Sequence, residues 1–286
     1  MRYHASSKPM NHFRKPRKFN RFENRRDKPA GPRPNDQRQG WQNVAGWYSN
    51  YLEGADTYQE TVVFPGVLKL LGLKPGVSCL DIACGEGSFA AKLAASRVRV
   101  TGFDAAPALV ERAKRHVPQG EFLVGDAQHF PAALRGRDFD AATCILAIQN
   151  IPDAAAVLKE AAAILKPGAP LVLVTNHPCF RIPRQSSWGF DDANKTQFRR
   201  VDRYLTPLDV PIIMNPGRGQ GRPVTTTTYH RPISAYIATL AAAGFVVDAL
   251  EEWISNRVSD SGPRAKAENR AREEFPLFLA IRARHR

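Results

Sequence analysis

The chain has 286 residues and a formal net charge of +14, from 41 Lys and Arg against 27 Asp and Glu; this allows one α/β domain with extensions and a full core. It contains no run of about 18 apolar residues, so no membrane-spanning helix is expected; no apolar segment follows the N-terminal charges, so no secretory signal is expected either. The four cysteines (Cys79, Cys84, Cys144, Cys179) lack paired metal-ligand spacing, so no metal site is expected; three of them fall on predicted buried strands or strand ends, as small hydrophobes would, and a reduced, cytoplasmic protein is expected.

Residues 1–40 hold 12 Lys and Arg against three acids, which is +9 of the net charge. Prolines at 9, 16, 29, 32 and 34 and a scarcity of aliphatic residues leave this segment little to bury, so a disordered basic tail is predicted. Its run Phe13-Arg-Lys-Pro-Arg-Lys-Phe-Asn-Arg-Phe22 interleaves cations with aromatics. That pattern suits RNA or another polyanion, and it equally suits a solubilising tail. From Trp41 the chain turns apolar. Trp41, Val44, Trp47, Tyr48 and Tyr51-Leu52 recur at helical spacing, and a second helix is predicted over Glu60 to Leu71 with a kink at Pro65.

Strands and helices then alternate. Val77 to Ile82 reads as a strand, Ser88 to Ala95 as a helix start, Val98 to Asp104 as a strand and Ala106 to Val117 as a helix. Strands at Glu121 to Gly125, Phe139 to Leu146 and Leu171 to Thr175 follow, with a helix at Ala154 to Leu165 before the last of them. After a long stretch over 181–230 come a helix (Ile233 to Ala243), a strand (Phe245 to Trp253), a helix (Arg264 to Glu273) and a last strand (Phe275 to Arg284). Such βα repetition predicts a doubly wound, Rossmann-like parallel sheet with ligands at the carboxyl ends of its strands.

The turn after the first strand carries the chemistry. Gly85, Gly87 and Ala90 fit Gly-x-Gly-x-x-Gly/Ala, and Asp104 follows Gly85 by 19 residues at the end of the second strand. Dinucleotide enzymes share that fingerprint, but Asp81 lies four residues before the first glycine. A carboxylate there repels a pyrophosphate and complements an ammonium or sulfonium group. Asp81-Ile-Ala-Cys-Gly-Glu-Gly87 resembles the first motif of class I S-adenosylmethionine-dependent methyltransferases. The resemblance covers roughly residues 41–286 and implies a seven-stranded sheet with its last strand inserted antiparallel. It also implies S-adenosyl-L-methionine as cofactor. Asp81 would hold its ammonium group, Ala83, Gly85 and Gly87 the methionine portion, and Asp104 with Ala105 the ribose. Asp126 with the Ala127 N–H would hold the adenine, and Ile145 would close the site.

The acceptor side is less specific. Cys144-Ile-Leu-Ala-Ile-Gln-Asn-Ile-Pro152 lacks the Asn/Asp-Pro-Pro-Phe/Tyr clamp of nucleobase amino methyltransferases. The Cys144 and Cys179 dipeptides stand in the opposite order to those of RNA 5-methylcytosine enzymes, which speaks against a covalent cysteine. Lys166-Pro-Gly168 reads as a structural turn. His177, after the fifth strand, is the candidate catalytic residue, as base or orienting donor. Residues 181–230 read as a substrate cap, and 41–72 as lid helices; Phe180, Trp188, Tyr229 and His230 are candidate acceptor contacts. Tyr229-His-Arg-Pro-Ile-Ser-Ala-Tyr236 resembles small-molecule methyltransferases of the ubiquinone-biosynthesis type. Three readings follow: a methyltransferase acting on a small molecule, one acting on RNA recruited through residues 1–40, and a non-catalytic RNA-binding protein on the same scaffold.

Overall fold

The computed structural model describes residues 57–213 and 225–286. The basic segment 1–40, the aromatic run from Trp41 to Leu52 and the Met214–Gly217 part of the predicted cap lie outside the described residues.

Seven strands form one mixed sheet: β1 (Ser78–Ile82), β2 (Arg99–Asp104), β3 (Glu121–Val124), β4 (Ala141–Ile145), β5 (Pro170–Asn176), β10 (Phe245–Trp253) and β11 (Phe278–His285). Their order is β10-β11-β5-β4-β1-β2-β3. The strands β1 to β5 are mutually parallel, and β11 runs antiparallel between β5 and β10. The expected antiparallel insertion is therefore present. Strand order reverses at the β1/β4 junction, where a doubly wound sheet opens a crevice.

Period-two alternation builds the two cores. Leu171 and Leu173 of β5 and Leu279, Ile281 and Ala283 of β11 point into one cluster; Val172, Val174, Phe278 and Ala280 point into the other. Helices α4 (Ala154–Ala162) and α5 (Ile233–Ala242) cover the first face through Val157, Leu158, Tyr236 and Leu240. Helices α1 (Phe64–Leu71), α2 (Ser88–Ala95) and α3 (Pro107–His116) cover the second through Val67, Phe89, Leu93 and Val110. The helix α6 (Ala265–Glu274) precedes β11.

The departures from expectation have local causes. The helix predicted from Glu60 begins as a π-helical turn, Gln59–Val63, and becomes α-helical at Phe64. Pro65 has no N–H to return to the preceding turn, so the chain widens there instead of bending. The last strand starts at Phe278, because the Phe275 N–H still caps α6 on the Ala271 carbonyl and Pro276 intervenes. The described residues within 181–230 include two antiparallel ribbons outside the main sheet. They are β6 (Ser186–Asp191) with β7 (Thr196–Val201), and β8 (Leu208–Ile213) with β9 (Thr225–His230). The Lys166 turn is structural, as expected: its ammonium pairs with Asp140 at 2.6 Å, and that carboxylate is held at about 2 by Lys166 and the Ser78 N–H.

Candidate functional site

A cavity of about 300 Å³ opens over the carboxyl ends of β1 to β4. Asp81, Ala83 and Gly85 line it from β1 and its turn, Asp104 and Ala105 from β2, Asp126 and Ala127 after β3, and Ile145 and Leu146 from β4. Thr57, Gln59, Glu60 and Phe64 close it from the N-terminal helix, and Asn150, Ile151 and Pro152 from the loop after β4. Five carboxylates (Glu60, Asp81, Glu86, Asp104, Asp126) and no Lys or Arg stand among these described lining residues, on a chain whose net charge is +14. Lys92 pairs with Glu60 at 2.8 Å and Arg112 with Glu86 at 3.7 Å, both from outside the lining, so the acidic character of the cavity rests chiefly on Asp81, Asp104 and Asp126, a set that favours a cationic ligand.

The carboxylates are placed by their strands. Asp81 is 2% exposed and accepts a hydrogen bond from the Thr143 hydroxyl of β4 at 2.9 Å. Burial raises its pKa to about 7, with Asp104 adding to the rise and the Thr143 bond opposing it. Asp104 binds the glycine turn: its Oδ2 accepts from the Gly85 N–H at 3.0 Å and its Oδ1 from the Ala106 N–H at 2.9 Å. Burial pushes its pKa up while those N–H groups pull it down. It organises the turn as well as facing the cavity. Asp126 accepts from the Gln128 N–H at 2.9 Å.

The two glycines do different work. Both have positive φ, +57° at Gly85 and +83° at Gly87. A side chain at Gly85 would meet nothing within 4 Å, so the space over it is open on the cavity side. At Gly87 a Cβ would stand 3.0 Å from that of Ala113 on α3. Gly87 stands outside the cavity lining, and its bare backbone lets α2 pack against α3. Ala83 (φ +56°) and Leu146 (φ +54°) are non-glycine residues in the left-handed region, at the ends of adjacent strands. Each costs on the order of 1 kcal/mol, strain of the kind that collects at functional sites.

Eight of the nine expected cofactor residues line the one cavity: Asp81, Ala83, Gly85, Asp104, Ala105, Asp126, Ala127 and Ile145. The acceptor candidates lie elsewhere. His177 is fully buried, its Nε2 is 2.6 Å from Glu252 Oε1 on β10, and its Nδ1 accepts from the Cys179 N–H at 3.2 Å. Desolvation lowers its pKa, so it is a neutral imidazole with both nitrogens engaged, outside the cavity lining. Phe180 stacks on it and meets Phe275 edge-on, as does Trp188. Tyr229 lies under the Arg231 guanidinium, and His230 Nε2 is 2.6 Å from the Tyr204 carbonyl. None of these five side chains lines the cavity. Cys144 is buried with its thiol pushed up to about 12, which removes it as a nucleophile. Glu60, Gln128 and Asn150 line the cavity without having been singled out by the sequence. Among them only Asn150 offered a signal, its place in the loop after β4.

Residues 79–168 match the family model described as a methyltransferase domain. The chain is 32% identical over 149 residues to the demethylmenaquinone methyltransferase of Beutenbergia cavernae, covering 52% of this chain and 58% of that protein. It is 35% identical over 105 residues to the ubiquinone biosynthesis O-methyltransferase of Xanthomonas campestris pv. campestris, covering 35% and 44%. The matches thus span about half the length of these curated relatives. An S-adenosylmethionine-dependent methyltransferase from Mesorhizobium loti superposes with a TM-score of 0.60 at 24% identity, over 77% of this chain and 96% of that one, a likeness of fold alone. Every cavity-lining residue except those of the 57–64 segment falls within residues 79–168, the stretch that matches the methyltransferase-domain model.

Proposed function

We propose that the protein transfers a methyl group from S-adenosylmethionine to a quinol-type small molecule. The observation that carries the cofactor is the acidic, Lys- and Arg-free lining of a cavity that also has room over Gly85. Such a lining suits a ligand that carries an ammonium and a sulfonium, and opposes the pyrophosphate of a dinucleotide. Asp81 would hold the ammonium, Asp104 the ribose hydroxyls, and Asp126 with the Ala127 N–H the adenine. When bound, S-adenosylmethionine supplies a methyl already activated by positive sulfur. The chain's part is then to orient the acceptor and exclude water. Phe64, Phe89, Phe103, Leu109, Leu146 and Ile151 give the cavity apolar walls for this purpose.

The acceptor class rests on two supports. The relatives' names refer to quinones, and the described lining holds no His or Lys to act as a general base. An acceptor that ionises readily, such as a hydroquinone, needs less help from a base than an alkyl alcohol or amine. The β8–β9 ribbon, which meets the cavity wall through Thr228 and Asn150, would then stand beside the acceptor. The RNA reading depends on residues 1–40, which lie outside the described residues. The test is methyl-label transfer to a 1,4-naphthoquinol, an ortho-dihydroxybenzene and total RNA. Label in either small molecule is expected. Label in RNA alone would refute the acceptor class.

A further inference from the structure

The loop after β4 forms the cavity wall farthest along the chain from the glycine turn, and five of its residues line the cavity: Leu146, Ala147, Asn150, Ile151 and Pro152. It is an unusual piece of backbone. Leu146 is left-handed, and its carbonyl accepts from the Gln149 side-chain amide at 2.8 Å and from that of Asn150 at 3.4 Å. A single 3-10 turn, Ile148–Asn150, follows, and α4 begins only at Ala154. The carbonyls of Ile151 and Pro152 thus precede the helix and need a donor from outside the loop.

Arg231 supplies it. Its guanidinium donates to the Ile151 carbonyl at 2.8 Å, to Pro152 at 2.5 Å and to Ile148 at 3.4 Å. No carboxylate among the described residues forms a salt bridge with it. The fork of donors serves these backbone oxygens together with the Tyr236 hydroxyl, a geometry that Lys cannot reproduce. Arg231 follows directly on β9, whose Thr228 hydroxyl donates to the Asn150 Oδ1 at 3.3 Å, and precedes Pro232, the N-cap of α5. Two side chains from this junction thus hold one wall of the cavity.

The geometry points to Arg231 as a positioning residue: it fixes the loop 146–152, and through it the acceptor-facing wall, from the last strand of the 186–230 insertion. This rests on the methyltransferase reading for its kinetic consequence and on the hydrogen bonds alone for its structural one. The cofactor-facing carboxylates of β1, β2 and the β3 turn are held by other partners, Thr143, Gly85, Ala106 and Gln128. Loss of Arg231 should therefore loosen one wall and leave the other in place.

The experiment compares full-length wild type with Arg231→Ala and Arg231→Lys in two measurements. Hydrogen exchange on the ligand-free protein should accelerate tenfold or more at the amides of 146–153 in Arg231→Ala and stay unchanged in β1 and its turn. Millimolar methylguanidinium should reverse part of that change. With a 1,4-naphthoquinol as acceptor, KM should rise about tenfold in Arg231→Ala and less in Arg231→Lys, while the Kd for S-adenosylmethionine stays within about threefold. Unchanged exchange at 146–153, exchange raised throughout the chain, or cofactor Kd weakened as much as acceptor KM would each overturn the proposal. If wild type methylates no quinol, the acceptor reading fails, and the exchange measurement still decides the role of Arg231.

Discussion

Replacing Asp81 with Asn should weaken the ligand-free protein's dependence on acid and abolish most of its affinity for S-adenosylmethionine. Asp81 is 2% exposed, and its pKa is raised from 3.8 to about 7 by burial. A folded-state pKa above the unfolded value means that the native state binds the proton more tightly. Stability is therefore greatest below about pH 3.8 and falls as the pH rises to 7, after which the cost is constant. That rise corresponds to about 4 kcal/mol, an upper bound because the site can relax or admit water when the carboxylate ionises. Asn keeps an acceptor for the Thr143 hydroxyl and carries no charge. At pH 8 the ligand-free Asp81→Asn protein should melt higher than wild type by up to roughly 10 °C, and the gap should close toward pH 4. Binding should change in the opposite sense. An ammonium needs the ionised carboxylate, so wild-type affinity should rise about tenfold per pH unit from 5 to 7. It should flatten above 7 and decline once the ligand's own amino group deprotonates near pH 8. The variant should bind roughly 10- to 150-fold more weakly at pH 7.5, the value of one charge-assisted bond, about 1.5–3 kcal/mol. Thermal melts and titration calorimetry between pH 5 and 8.5 provide both curves. A variant that is less stable than wild type at pH 8, or one that binds the ligand with the full wild-type pH slope, would refute the reasoning.

Two further substitutions separate ligand contact from packing. Gly85→Ala has open space for its methyl group and a φ of +57°, so it should cost about 1 kcal/mol in stability and weaken cofactor binding measurably. Gly87→Ala meets Ala113 at 3.0 Å with a φ of +83°, so it should cost more, about 1–3 kcal/mol, with binding reduced only as far as the fold is; chemical denaturation and calorimetry check both. His177→Ala should behave as a core truncation. A buried imidazole whose pKa is below the usual 6.5 loses stability as the pH falls below 6.5, because the unfolded chain takes up the proton first. The variant should thus be destabilised at pH 8 and less so at pH 5.5, with cofactor Kd within threefold; a large loss of cofactor affinity in a folded variant would contradict this placement.

The lining of the cavity was legible because it is built from backbone and strand ends. Apolar runs such as Leu171 to Val174 mark buried parallel strands, and a residue's place at a strand's carboxyl end fixes its place in the crevice. Asp81, Asp104 and Asp126 follow from that rule with no knowledge of distant contacts. Gly87 shows its limit, since the fingerprint does not say which glycine borders the cavity and which packs on Ala113. The acceptor half depends on long-range partners. His177 follows β5 as expected, but Glu252 meets it from 75 residues further on and occupies its Nε2. The strands β6 and β7 bury too little for an alternating pattern to stand out, with Trp188 and Phe198 about half exposed. The loop 146–152 takes its shape from Gln149, Asn150 and Arg231, which the spacing of apolar residues does not report.

The central claim is that the acidic cavity at the β1/β4 junction takes S-adenosylmethionine. Titration calorimetry of the full chain at pH 7.5 with S-adenosylmethionine and, separately, with NAD tests it most directly. Saturable binding of S-adenosylmethionine with no heat from NAD is the predicted result. Binding of NAD, with no response to S-adenosylmethionine, would contradict it.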